Sequence, residues 1–435
     1  MALYSKVAEK ECLLLETSTI ALIIIGVLLI LYISEIMPIA ATSVLACLAM
    51  AIFGVIPFAT AFRGFGNDIV FLVIGMMIVG NALFETGAAQ VVGRLIISKV
   101  GSNERVFLAA LIVVSIPISA FLSNTATAAI MLPLAGSAIA VSKGKFTKKN
   151  TYMIVGIAAV AGGGLTLVSS MPQLIAQQAL IEGGHETMGF FDITLAGAPI
   201  LLLLIIYALT IGYRLQKKVF NFEEVPDVFL DAKDDKPKSV KKMLIATGAL
   251  VFCVAGFIAD IWSLGVVAML GAVACVATGC ISQKQVYKKM DWNTIVVFGC
   301  SFGFAAGLDE SGAGRLIAQT AISIMGDNAT PFLLCVMLAL VAVVLSNFMS
   351  TTGTAALLIP IAIFTAVELN FDVRSIALAT AVAVNIGYAT PLSTPPLTMT
   401  LPAGYRFMDY VKIGGLFNIM ALLLLVALFP FILNL

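Results

Sequence analysis

Uninterrupted apolar runs constrain this chain more than any other feature. Several stretches reach eighteen or more residues with at most one charge, and residues 17–34 carry none. A helix on a soluble surface needs a polar face, and one that is apolar all round needs apolar surroundings. With 435 residues and about 20 per crossing, the chain has room for roughly ten membrane spans. Composition agrees: 60% of residues are hydrophobic and 11% charged, against about 45–50% and 25% in soluble domains. The alternating segments of about ten residues that mark a transmembrane barrel are absent. The expected class is an all-α polytopic membrane protein.

The runs come in two sets. Residues 119–133 read SAFLSNTATAAIMLP and residues 346–360 read SNFMSTTGTAALLIP, eight identities in fifteen at an offset of 227. Glu85-Thr86-Gly87-Ala88 recurs as Glu310-Ser311-Gly312-Ala313, and Ser169-Ser170-Met171-Pro172 as Ser393-Thr394-Pro395-Pro396. Phe190-Phe191-Asp192-Ile193 recurs as Phe407-Met408-Asp409-Tyr410. The order is kept, so a duplicated unit is expected.

Spans are predicted near 17–34, 38–56, 67–84, 151–168 and 193–213 in the first copy. Those of the second fall near 243–260, 263–281, 293–308, 373–390 and 410–432. Two longer apolar stretches, 105–141 and 329–367, have a polar, helix-breaking centre and read as re-entrant hairpins. Five crossings per copy is an odd number, which inverts the second copy relative to the first. The predicted division is 1–216, a linker 217–242, and 243–435.

With 214–242 in the cytoplasm, cytoplasmic connections hold 20 of the 25 Lys and Arg, including Lys143, Lys145, Lys148, Lys149, Lys284, Lys288 and Lys289. The outer side holds Lys6, Lys10, Arg63, Arg315 and Arg374. The positive-inside rule favours that orientation, with both termini outside a bacterial-type inner membrane. The linker, seven lysines among six acids, reads as solvated. Segments 87–102 and 312–326, carrying Arg94, Lys99 and Arg315, read as amphipathic helices at the interface.

Neutral polar residues mark the interior. The hairpin centres Ser123-Asn124-Thr125 and Ser350-Thr351-Thr352 each precede an apolar helix, to Pro133 and Pro360. Such residues cap helix N-termini. The fourth spans break as well, Gly162-Gly163-Gly164 leading to Ser169-Ser170-Met171-Pro172 and Gly387 to Ser393-Thr394-Pro395-Pro396. Ser or Thr before a first-turn proline again reads as a cap. Four positive helix-dipole ends are thus expected near the midplane. Unwound backbone is tolerated there only inside protein or beside a cavity, and broken helices facing an anion at a repeat interface are a transporter pattern.

Other classes fit poorly. A net charge of +1 argues against a nucleic-acid partner. Cys12, Cys47, Cys253, Cys275, Cys280, Cys300 and Cys335 form no CxxC, so neither a disulfide framework nor a thiolate metal site is expected. His185 sits in a polar connection. Glu35, Glu85, Asp309 and Glu310 fall at span ends, without the mid-span relay of a proton pump. No HExxH occurs, and the chain is not read as an enzyme. The N-terminal charges Lys6, Glu9, Lys10, Glu11 and Glu16 precede an apolar run with no small-residue cleavage site. Asn81 and Asn385 are either ligands or buried hydrogen-bonding groups.

On Ser123-Asn124-Thr125, the AALLIP run after the second hairpin tip, and Ser393-Thr394-Pro395-Pro396, the chain resembles the divalent anion/sodium symporter family from residue 17 onward. The resemblance implies an elevator-type transporter fold: a scaffold of about 17–102 and 243–326, a transport domain of about 105–213 and 329–432, and a homodimer. It implies one sodium site from Ser119, Ser123, Asn124 and Ser169, and a second from Ser346, Met349, Thr351, Ser393 and Pro395. It places the anion against Asn124, Thr125, Ser170, Ser350, Thr351, Thr352 and Thr394. Thr351, Gln173 and Leu397 stand where the family has asparagine, and Met171 where it has the first proline of that motif. The implied function is sodium-coupled uptake of a C4-dicarboxylate such as succinate or malate. The alternatives are a sodium-independent exchanger, a sulfate or other oxyanion carrier and, more remotely, a passive anion channel.

Overall fold

The structure is a computed structural model and describes residues 17–28, 30–31, 34, 36–88, 91, 103–142, 145–220, 239–259, 262–325 and 329–433. Cys12, Glu35, Lys143, the charges before residue 17, most of 87–102 with Arg94 and Lys99, and 221–238 of the linker lie outside the described residues. The regular elements among the described residues are all helical.

In the first half, α1 (Thr17–Leu28) and α2 (Ile39–Ile52) precede α3 (Asp68–Thr86). Asn67 starts α3 by accepting the Ile69 N–H at 2.9 Å. Gly87 ends it at φ 81°, a left-handed C-terminal position suited to glycine. Helices α4 (Glu104–Phe121) and α5 (Asn124–Val141) are separated by two residues. Next come α6 (Lys148–Gly162), α7 (Met171–Glu182), α8 (Thr194–Leu209) and α9 (Ile211–Val219), with a 50° bend between α8 and α9. The second half holds α10 (Val240–Ala259), α11 (Leu264–Ala277), α12 (Gln283–Lys289), α13 (Trp292–Glu310) and α14 (Ala313–Met325). It closes with α15 (Pro331–Phe348), α16 (Thr351–Glu368), α17 (Val373–Val384), the single turn α18 (Pro395–Thr398) and α19 (Phe407–Ile432).

The bounds of α15 and α16 are those of α4 and α5 moved on by 227 residues at all four ends. Each pair doubles back on itself, because its two arms pack on each other and both pack on the same short helix, α6 or α17. The reversal comes from the tips. Ser123 (φ −63°, ψ 148°) and Ser350 (φ −63°, ψ 147°) leave the helical region and accept the N–H of Ala126 at 3.2 Å and of Gly353 at 3.1 Å. Such a cap is worth about 1 kcal/mol.

Two local details differ from the sequence reading. Helices α5 and α16 run past Pro133 and Pro360 to Val141 and Glu368. Each proline removes one intrahelical hydrogen bond, but the turns beyond Pro360 bury Ala362, Ile363, Thr365 and Ala366, which keeps the helix going. Ser170 and Thr394 occupy the N-cap positions of α7 and α18 without making a side-chain cap bond. The second residue of each helix, Pro172 or Pro396, has no N–H to offer. Of the four expected helix N-termini, that of α18 is one turn long.

Six described helices (α3, α4, α10, α15, α16 and α19) are long and apolar enough to cross a membrane, and the bent α8–α9 pair is a seventh. Three of the six are hairpin arms. Helices α1, α2, α11 and α17 are apolar but shorter, with Gly54 (φ 72°) and Gly279 (φ 69°) turning the chain after α2 and α11. The exterior is apolar. Helix α10 buries only the stripe Ala246, Ala249, Cys253 and Phe257, while Leu244, Val251, Phe252 and Ile258 are exposed. That surface suits lipid, and the chain is a multi-pass membrane protein.

Packing pairs the halves reciprocally: α3 lies on α11, and α2 on α13. Helix α7 packs on α16 and α17, the turn α18 on α5 and α6, and α8 on α19. Backbone contact holds the broken spans in place. A Cβ on Gly197 of α8 would stand 1.8 Å from the Gly164 carbonyl oxygen, and one on Gly414 of α19 would stand 1.8 Å from that of Tyr388.

Candidate functional site

A cavity of about 340 Å³ lies where the first hairpin tip, the N-terminal ends of α7 and α16, and the α12–α13 connection meet. A larger one, about 750 Å³, lies at the far ends of α7, α13 and α16, so these three helices run from one cavity to the other. The smaller cavity gathers most of the residues expected to meet the anion: Asn124, Thr125, Ser170, Thr351, Thr352 and Thr394. Of the expected cation ligands, Ser123, Asn124, Ser169, Thr351 and Pro395 also line it. Ser119, Ser346, Met349, Ser350 and Ser393 do not line it; Ser119, Ser346, Met349 and Ser393 are fully buried. Met349 packs with Leu357 into the small core shared with α1, α2 and α13.

Each tip is tied to the broken span beside it. Ser119 Oγ stands 2.5 Å from the Ala159 carbonyl oxygen and 2.9 Å from Asn124 Oδ1. Gly163 sits so close that a Cβ there would be 2.3 Å from Asn124 Oδ1. Thr166 donates to the Ala120 carbonyl, and Thr390 donates to that of Asn347 at 2.6 Å. In the second half Thr351 N–H donates to the Ser393 carbonyl at 3.1 Å, and a Cβ on Gly387 would lie 3.1 Å from the Ser346 oxygen and 3.3 Å from Thr351 Cγ2. The Pro395 carbonyl accepts the Met399 N–H at 2.9 Å.

A buried chain of amides crosses between the halves. Ser170 donates to Asn385 Oδ1 at 2.6 Å, and Asn385 Nδ2 donates to Gln173 Oε1 at 2.8 Å. The structure therefore gives Asn385 a hydrogen-bonding role between segments. Asn81 lines the cavity and donates to the Lys289 carbonyl at 3.4 Å. Thr394 differs from Ser170, its counterpart: its Oγ1 is buried without a hydrogen-bond partner, and it lines the cavity. An unmet buried hydroxyl costs about 1–3 kcal/mol, a cost that a ligand accepting its hydrogen would offset.

Sequence reasoning missed Asn347, Thr166 and Thr390. Asn347 accepts the Ala389 N–H at 2.8 Å and donates to the Val343 carbonyl at 2.6 Å. The threonines were legible in retrospect, since Thr166 and Thr390 each stand three residues before the serine of their motif. Charge enters the lining through Lys289 and Asp291. Lys289 is ion-paired to Glu85, which also accepts from Gln285 Nε2 at 2.6 Å. The tips and broken spans themselves contribute neutral donors and acceptors.

The chain is 27% identical over 422 residues to an uncharacterised transporter of Haemophilus influenzae, covering 93% of this chain and 89% of that one. It is 23% identical to the sodium-dependent dicarboxylate transporter SdcS of Staphylococcus saprophyticus, covering 92% and 83%. The crystal structure of the Alcanivorax borkumensis YdaH transporter superposes with a TM-score of 0.62 at 15% identity, over 89% of this chain and 88% of that one, which is a likeness of fold. The relatives and the structural neighbour are transporters rather than enzymes. The citrate transporter family matches residues 29–373 and again 264–435; the chain belongs to that family, which is of the divalent anion/sodium symporter type.

Proposed function

We propose that the chain is a sodium-coupled secondary transporter of small dianions, C4-dicarboxylates foremost, and that it works by an elevator movement of its hairpins and broken spans. One observation carries the reading. The 340 Å³ cavity is lined by Ser, Thr and Asn residues from hairpin tips and broken spans of both halves, among them Thr394, whose buried hydroxyl has no partner. Neutral donors at helix N-termini orient a carboxylate without a fixed cation of their own, and a co-bound sodium ion supplies the missing charge. Linkage then makes each ligand tighten the other. The name of the family supports citrate as a second candidate substrate, and a cavity of this size lies in the range of small-molecule sites.

An inverted repeat is the architecture we infer beneath this. The 227-residue register of the four hairpin arms and the reciprocal packing of α3 on α11 and α2 on α13 support it. The cavity borders Lys289, close to Lys284 and Lys288, on the side that the positive-inside rule assigns to the cytoplasm. We read the conformation as inward-facing and the working unit as a homodimer.

Proteoliposomes loaded without sodium should accumulate labelled succinate or citrate when a sodium gradient is imposed. Equal uptake with choline in place of sodium points to the exchanger, and entry that never exceeds equilibration points to a channel. Thr394→Val should raise the KM for the anion about tenfold, one lost hydrogen bond being worth about 1.4 kcal/mol. Its folding stability should hold or improve, because the buried hydroxyl has no partner to lose. An unchanged KM would remove Thr394 from the site.

A further inference from the structure

The two broken spans share a backbone plan but use their carbonyl oxygens differently. In the first, the oxygens of Gly163 and Thr166 receive the Ser169 hydroxyl at 2.6 and 2.9 Å. They also receive Gln173 Nε2 at 2.6 and 3.2 Å. Three side-chain hydrogens thus serve two oxygens, each with two lone pairs. In the second, the oxygens of Gly387 and Thr390 receive the Ser393 hydroxyl at 2.5 and 3.0 Å. Four residues after that serine, where the first span has Gln173, stands Leu397, fully buried and without a donor.

Gln173 is held firmly. Its side chain is fully buried, and its own oxygen accepts from Asn385 Nδ2 at 2.8 Å. A cation in a broken helix is bound by freed carbonyls and hydroxyls, and N–H groups aimed at those same oxygens compete with it. Both carbonyl sets border a hairpin tip: Gly163 abuts the Asn124 carboxamide, and Gly387 abuts Thr351 and the Ser346 carbonyl. With the Ser169 N–H also 3.5 Å from the Thr166 oxygen, the first donor set is filled from within the chain. The second keeps open lone pairs beside further oxygens.

We propose that the Gln173 carboxamide stands in for a cation at the first broken span, so that this chain binds a single sodium ion, at the second. The proposal rests on the sodium-coupled reading above. It reverses the weighting that the motif departures suggest, since the loss of asparagine at Thr351 falls on the span that keeps its open oxygens. It also gives Gln173 a consequence for coupling, because an amide fixed in the fold carries no charge across the membrane.

The test is a count of ²²Na⁺ bound to the purified full-length protein, alongside the sodium dependence of uptake. One ion per chain and a Hill coefficient of about 1 are expected. Gln173→Leu, which copies the second span, should raise the count to two. Leu397→Gln should abolish binding, as should Ser393→Ala, which covers a failure of the larger substitution to fold. Two ions in the unmodified chain would overturn the proposal and leave sodium coupling intact. No bound sodium would overturn both. One ion that survives both Leu397→Gln and Ser393→Ala would place it elsewhere and overturn the assignment to the second span.

Discussion

Asn124→Ala is expected to abolish uptake, a loss of at least a hundredfold, while the protein still folds and inserts. The carboxamide lines the cavity as the first residue of α5 and lies against Ser119 Oγ. The cap that shapes the tip comes from Ser123 instead, so the hairpin keeps its reversal when the amide goes. An interaction with charged substrate or ion is worth more than one between neutral groups, about 1.5–3 kcal/mol, and Asn124 is expected to make more than one. Uptake into proteoliposomes, with gel filtration and thermal unfolding of the same sample, separates the two effects. Transport within threefold of the unmodified protein would refute a role for this side chain.

Among the described glycines whose surroundings are known, Gly414→Ala and Gly197→Ala are expected to be the most damaging substitutions. At both sites the added carbon would stand 1.8 Å from a backbone oxygen, Tyr388 or Gly164, and backbone cannot rotate away as a side-chain end can. Overpacking costs about 1–3 kcal/mol where neighbours yield, and here the neighbour is the broken span itself. Either variant should lose most of its folded yield in membranes, measured against Gly26→Ala, whose Cβ would meet nothing within 4 Å. Normal yield from Gly414→Ala would mean that the α19 contact is looser than its geometry.

Much of this was legible in the sequence, and for physical reasons. Apolar runs cannot hide their solvent, and a duplicated SNT-type tip announces its twin, so the hairpins fell within two residues of 105–141 and 329–367. The polar lining of the smaller cavity was legible because Ser, Asn and Thr between apolar segments mark helix N-caps. What escaped was geometry beyond nearest neighbours. Ser170 and Thr394 make no cap bond, and only the packed structure sends one hydroxyl to Asn385 and leaves the other unmet. Gln173 was visible as a departure, but not the carbonyls it fills. Short helices such as α17 also looked longer in sequence, because the apolar composition continues after the hydrogen bonding has stopped.

The larger cavity has a seam with its own consequence. Arg63 faces Glu182 across it at 3.9 Å, and Arg315 donates to Glu368 at 2.9 Å. Both arginines are about two-thirds exposed, so dissolved salt screens these contacts and each holds weakly. Contacts that weak add little to the cost of parting the two sides of the cavity. Raising ionic strength at constant sodium should therefore leave uptake almost untouched.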